Sequence, residues 1–148
     1  MSKRTPKTVP RFQTPIIETH CHLDYLAQDT IADELHAITE AGVERIVTIA
    51  VSADNLKTVL SLCNQHEHIW GTQGIHPHEA SSWTPSVAQA VAQGASHPKV
   101  VAIGEIGLDY YYEHASPQSQ IAAFEAQLSL AAERDLPVVI HTREADAD

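Results

Sequence analysis

Residues 100–109 read VVAIGEIGLD. Val100, Val101, Ala102 and Ile103 form an apolar run without the apolar–polar alternation of a half-wet strand. That is how a strand covered on both faces reads. The run then meets a carboxylate, Glu105, set between Gly104 and Gly107. A carboxylate beside a buried strand is costly unless it is paired or bound to a cation. Strands buried on both faces belong to parallel sheets covered by helices, and such sheets collect their reactive groups at the C-terminal strand ends.

Outward from this stretch the pattern repeats. Four more short apolar runs rich in β-branched residues predict strands: Ile16–Ile17 continuing to His22, Arg45–Val51, Ile69–Ile75 and Pro137–His141. Helical patterns lie between them. Ile31, Leu35 and Ile38 share a face, and Gly42 follows as a stop. Leu56, Val59, Leu60 and Cys63 recur at i, i+3, i+4 and i+7, with Asp54 expected as the N-cap. Thr84–Pro85 opens a segment that Gly94 closes, and Ser116–Pro117 opens another with the stripe Ile121, Phe124, Leu128 and Ala131. The order β-α-β-α-β-α-β-α-β predicts parallel (β/α) units. These suit either a doubly wound sheet or part of a (β/α)8 barrel. Neither a G-x-G-x-x-G nor a G-x-x-x-x-G-K-[ST] motif is present, which weakens the nucleotide-binding doubly wound alternative.

The whole chain has 148 residues, 43% hydrophobic and 19% charged, enough for one domain with a core. No run approaches a membrane span, and the N-terminus lacks the apolar core of a secretory signal. With only two cysteines, Cys21 and Cys63, a disulfide framework is excluded and the cytoplasm is the expected compartment. The formal charge of −10 speaks against a broad basic surface for nucleic acid, but not against a phosphate site built on metal ions. Lys3, Arg4, Lys7 and Arg11, with Pro6, Pro10 and Pro15, mark residues 1–15 as a disordered basic tail, and residues 16–148 as the globular unit.

Ten histidines are many for this length. His20 and His22 lie two apart on a strand, so the pleat aims both imidazoles one way and Cys21 the other. An H-x-H pair alone is weak evidence for metal, and a buried pair bonded to backbone is the commoner reading. Joined by Glu105 and His141 at later strand ends, it predicts a divalent-metal site. The alternative for Glu105 is a salt bridge to Arg143. The nitrogen and oxygen donors suit Zn, Mn, Co, Ni or Mg, and a carboxylate between two histidine groups can bridge two ions. His76 and His78, flanking Pro77, serve either substrate or the outer coordination of the site. Arg143 either grips a phosphate through its guanidinium fork or pairs with Glu144 or Glu105. Tyr110, Tyr111 and Tyr112 either stack on a base or pack beneath a helix. Asp24 and Asp109 either orient ligands or start a helix or turn. His36, His66, His68, His97 and His114 are expected in surface or packing roles.

The stretches IIETHCHLDYL (16–26), GIHPHEA (74–80), AIGEIGLDYYY (102–112) and QIAAFEAQLSLAAERDLPVVIHTREA (120–145) resemble the TatD family of metal-dependent hydrolases. The resemblance implies an amidohydrolase-type TIM barrel and, by family habit, deoxyribonuclease activity. It implies metal ligation by His20, His22, Glu105 and His141, with Glu105 also the catalytic carboxylate, and His76 and Arg143 on the substrate. Two divalent ions and a DNA substrate follow from it. Glu18 stands where the family pattern usually has Asp. A barrel of this kind takes about 250 residues, and this chain ends just past the fifth of eight strands. The family's further His and Asp come from later strands and have no counterpart here. The expected function is a metal-dependent phosphodiesterase. The alternatives are a truncated or split product without turnover, and a hydrolase of an amide or ester. An incomplete barrel also implies self-association through open edges, with apolar patches drawn from Val47–Ile49 and Val101–Ile103.

Overall fold

The computed structural model describes residues 11–26, 29–112 and 114–148. Strands and helices alternate as β1 (Ile16–Cys21), α1 (Ile31–Glu40), β2 (Val43–Thr48), α2 (Leu56–Gln65), β3 (Ile69–Gln73), α3 (Pro85–Gly94), β4 (Val100–Asp109), α4 (Pro117–Arg134) and β5 (Val138–Arg143). Two short 3-10 turns, Leu23–Tyr25 and Pro77–Ser82, follow β1 and β3. All neighbouring strands pair in parallel, in the spatial order β1-β2-β3-β4-β5. A doubly wound sheet reverses its strand order at a switch point. This sheet does not reverse, so right-handed crossovers carry every helix to the same side. The result is five consecutive units of a (β/α) barrel, open between β1 and β5.

The core fills the space between sheet and helices. Ile46, Ile69, Ile103 and Ile106 from the strands meet Leu35, Leu56, Val59, Leu62, Val91 and Ala131 from the helices. Helix α2 sits directly on the backbone of β3: a Cβ at Gly71 would lie 2.6 Å from Val59 Cγ1 and 2.9 Å from Cys63 Sγ. Burial pushes the Cys63 thiol up to about 11, which fits a residue used for packing.

The helix starts follow the sequence signals at two sites. Thr84 Oγ1 accepts the Val87 N–H, and Ser116 Oγ accepts the Ser119 N–H, each with Pro at the first helical position. At α2 the expectation needs correction. Asn55, not Asp54, is the N-cap, and its Oδ1 turns back to accept the N–H groups of Val51 and Ser52. The α4 stripe is also shifted. Its most buried positions are Gln120, Ala123, Gln127 and Ala131, while Ile121, Phe124 and Leu128 are half-buried.

The runs expected to form an exposed apolar patch on the inner face are less exposed than that. Ile49 and Ile103 are fully buried and Val47 and Val101 are half-buried; among the described residues the exposed large aliphatic side chains are Ile17 on β1 and Ile140 on β5, at 55% and 54%. Of the expected tail, residues 1–10 lie outside the described residues. Phe12 is described, and its N–H donates to Ala41 O at the end of α1. No helix among the described residues is long and apolar enough to cross a membrane.

Candidate metal centre and active site

Strand β1 and the turn after it deliver His20 and His22, the loop after β3 delivers His76 and His78, β4 carries Glu105 and Asp109, and β5 carries His141 and Arg143. Because the strands are parallel, these residues meet at one end of the sheet. His20, His22 and Glu105 each offer a donor atom within 4.8 Å of the others, and so do His76, Glu105 and His141. Glu105 belongs to both groups. It is buried, and its two oxygens divide between them: Oε2 lies 3.5 Å from His20 Nε2 and Oε1 3.2 Å from His141 Nδ1. The Gly104–Glu105 peptide that presents it is cis.

Hydrogen bonds assign the ring tautomers. His22 Nδ1 lies 3.3 Å from Ile49 O; a carbonyl only accepts, so Nδ1 carries the proton and Nε2 keeps its lone pair. His141 Nε2 and His78 Nε2 lie 2.9 and 2.8 Å from Asp109 Oδ2. Asp109 is ionised. Burial opposes its charge, but the Tyr112 N–H and the His78 and His141 rings outweigh burial and hold the carboxyl well below the usual carboxylate range. Both rings therefore donate from Nε2, and a neutral His141 turns its Nδ1 lone pair toward Glu105 Oε1. Two acceptors 3.2 Å apart repel unless a proton or a cation joins them. The donor set, imidazole nitrogen and carboxylate oxygen, fits a divalent transition metal or zinc.

His76 is arranged differently. Its Nδ1 accepts the His78 N–H at 3.1 Å, which leaves Nε2 as the protonated nitrogen of a neutral ring. Burial, then the neighbouring His141 and His78, push its pKa down to about 3. A neutral ring that lines the cavity with one N–H can donate a hydrogen bond to a ligand.

Arg143 makes no ion pair with Glu105 or Glu144. Its guanidinium lies instead over the Tyr111 ring at 3.9 Å and the Tyr112 ring at 4.7 Å, stacking that fixes its direction, and it has no ion pair among the described residues. His22, Tyr25, His76, Glu105, Asp109, His141 and Arg143 all line one cavity of about 300 Å³. Asp24 accepts a hydrogen bond from Asn55 Nδ2 at 3.0 Å, a loop-fixing role. His36, His66, His68 and His97 lie away from this cavity, whereas His114 packs on His78 with ring centroids 4.7 Å apart.

Two supports were not foreseen. Gln127 of α4 accepts the Ile75 N–H at 2.8 Å and donates to Ile75 O at 3.2 Å. Gln120, two turns earlier, accepts the Asp109 N–H at 2.8 Å and donates to Asp109 O at 2.9 Å. One helix thus clasps the backbone beside His76 and at Asp109. The only sequence signal was a pair of glutamines seven apart on a helix with few other polar residues on that side.

Residues 17–148 match the family described as TatD related DNase. The 3'-5' ssDNA/RNA exonuclease TatD of Erwinia amylovora is 45% identical over 107 residues, covering 72% of this chain and 41% of that protein. Its counterpart from Salmonella typhimurium is 40% identical over 105 residues, covering 71% and 40%. The crystal structure of YjjV, a TatD homologue from Escherichia coli K12, superposes with a TM-score of 0.76 at 32% identity over 86% of this chain and 51% of that one. The chain thus spans about two fifths of the length of these curated relatives. The match across nearly all of the described sheet, together with the shared fold, makes this chain a member of the TatD-related DNase family.

Proposed function

We propose that this chain carries the greater part of the metal centre of a hydrolase that cleaves phosphodiester bonds in single-stranded nucleic acid. The observation that carries the reading is Glu105, one buried carboxylate shared between two groups of histidine donors. The relatives named as single-strand DNA and RNA exonucleases support the substrate class.

In this reading His20, His22 and Glu105 would hold one divalent ion, and Glu105 with His141 would hold a second. A pair of such ions supplies Lewis acidity to the phosphate and lowers the pKa of water. The protein's own residues do the rest. Ile49 O and Asp109 Oδ2 fix the His22 and His141 rings so that lone pairs, not protons, face the centre. His76 Nε2–H donates to a phosphate oxygen, and Arg143, braced on Tyr111, grips another. Bound ions would offset the acidic net charge of the chain locally.

The test is isothermal titration of Mn²⁺ or Zn²⁺ into the chain, paired with hydrolysis of a labelled single-stranded oligonucleotide. Chelation is expected to abolish hydrolysis. Glu105→Gln, which removes a ligand's charge but little shape, is expected to weaken metal binding by more than the roughly 10-fold lost with an outer partner of a ligand, with an unchanged circular dichroism spectrum. Undiminished hydrolysis by a chelated sample would falsify the mechanism.

A further inference from the structure

Tyr25 is the most exposed large hydrophobic side chain among the described residues, at 72%. It stands in the 3-10 turn Leu23–Tyr25, held by its N–H donating to His22 O at 3.2 Å. One ring face is occupied: it stacks on His22, centroids 5.2 Å apart with 21° between the planes. That imidazole is itself pinned by Ile49 O, so the tyrosine rests on a fixed support. It lines the same cavity as Glu105, Asp109, His141 and Arg143. An aromatic ring leaving the core normally hides its faces. Here one face is braced against His22, a proposed metal ligand, and most of the side chain is open to solvent.

We infer that Tyr25 is a base-stacking residue, receiving the nucleobase next to the phosphate held in the cavity and thereby favouring unpaired nucleic acid. This deepens the function proposed above and rests on it. A flat ring beside a phosphate site recognises the one feature every nucleotide shares besides its phosphate, a π-face, and does so without reading sequence. A base paired in a duplex has its faces covered by its neighbours and must leave the stack before it meets the ring. Arg143 stands on another wall of the same cavity, braced on Tyr111, and is placed for the phosphate.

The experiment compares the 148-residue chain's affinity for two fluorescein-labelled single strands, an oligothymidylate and an abasic strand of equal length, by anisotropy in chelator and in Mn²⁺. The base-bearing strand is expected to bind more tightly by on the order of tenfold, the effect of one base–aromatic stack. Tyr25→Leu is expected to erase that difference, and Tyr25→Phe to keep it, because stacking needs the ring and not the hydroxyl. A side chain this exposed is replaceable without disturbing the core, and matching thermal unfolding of the variants confirms it. Equal affinity of the parent chain for both strands, absence of binding to either, or a base preference that survives Tyr25→Leu each overturns the inference. Base-dependent binding that needs Tyr25, without any metal-dependent cleavage, would instead count against the hydrolytic reading alone. Cleavage with no base preference would count against Tyr25 alone.

Discussion

Asp109 ends β4 with all of its acceptor capacity used. Oδ1 takes the N–H groups of Tyr111 and Tyr112, each at 3.1 Å, and Oδ2 takes the His78 and His141 rings. A carboxylate so engaged orients its histidines instead of binding metal itself. Asp109→Asn places an amide where two N–H donors already point, or turns its oxygen to them and abandons the tyrosine amides. The expected outcome is a loss of roughly 10- to 100-fold in metal affinity, read by titration calorimetry; affinity equal to the parent's would show that His141 needs no such partner. At this scale the sequence was informative where position alone fixes direction. His20, Glu105 and His141 fall at ends of strands whose apolar runs are plain, so their meeting could be expected. The role of Asp109 stayed between two options, because an acid at a strand end starts turns as readily as it holds rings. Arg143 stayed open too, and its stacking on Tyr111 depended on a loop path that no local pattern encodes. His114 was expected at a surface or packing position, and packing on His78 became visible only in three dimensions.

Helix α4 shows how an element can support a site whose cavity it does not line. Gln120 and Gln127 are both 1% exposed, and each closes the hydrogen bonds of a backbone unit that would otherwise face the core unpaired. Replacing Gln127 by Leu preserves volume but strands the Ile75 N–H and C=O. The cost should be on the order of 2–4 kcal/mol, measured by urea unfolding. A change under about 0.5 kcal/mol would mean that water or a shifted neighbour replaces the glutamine. Gly107, with φ of 142°, serves the neighbouring strand pair: a Cβ there would run into His141 O, so only glycine lets β5 come close enough for His141 to reach Glu105. The elements themselves were legible, since each helix and strand fell near its predicted place. The face of α4 was not. Periodicity arguments award the core to apolar residues, whereas this helix spends its innermost positions on glutamines because a strand end and a loop beneath it need donors and acceptors.

The molecule as a whole has two strand edges, β1 and β5, each paired on one side only among the described residues. Exposed Ile17 and Ile140 lie on those edges. Free strand edges with apolar side chains invite pairing between molecules. The 148-residue chain in isolation is therefore expected to self-associate at micromolar concentration, and Ile17→Lys combined with Ile140→Lys to lower its mass toward the monomer by light scattering. A parent chain that is monodisperse and monomeric would contradict this. The barrel order could be favoured from the sequence because no phosphate-binding glycine motif was present, but the choice against a doubly wound sheet rested on strand order, which no single sequence states. That order has a consequence for synthesis. Spatial order and chain order coincide, so every strand from β2 onward finds its partner already made when it leaves the ribosome. The layers of this protein can be laid down one by one, without a wait for a distant strand, and protection from a protease added during translation should appear in the same N-to-C sequence.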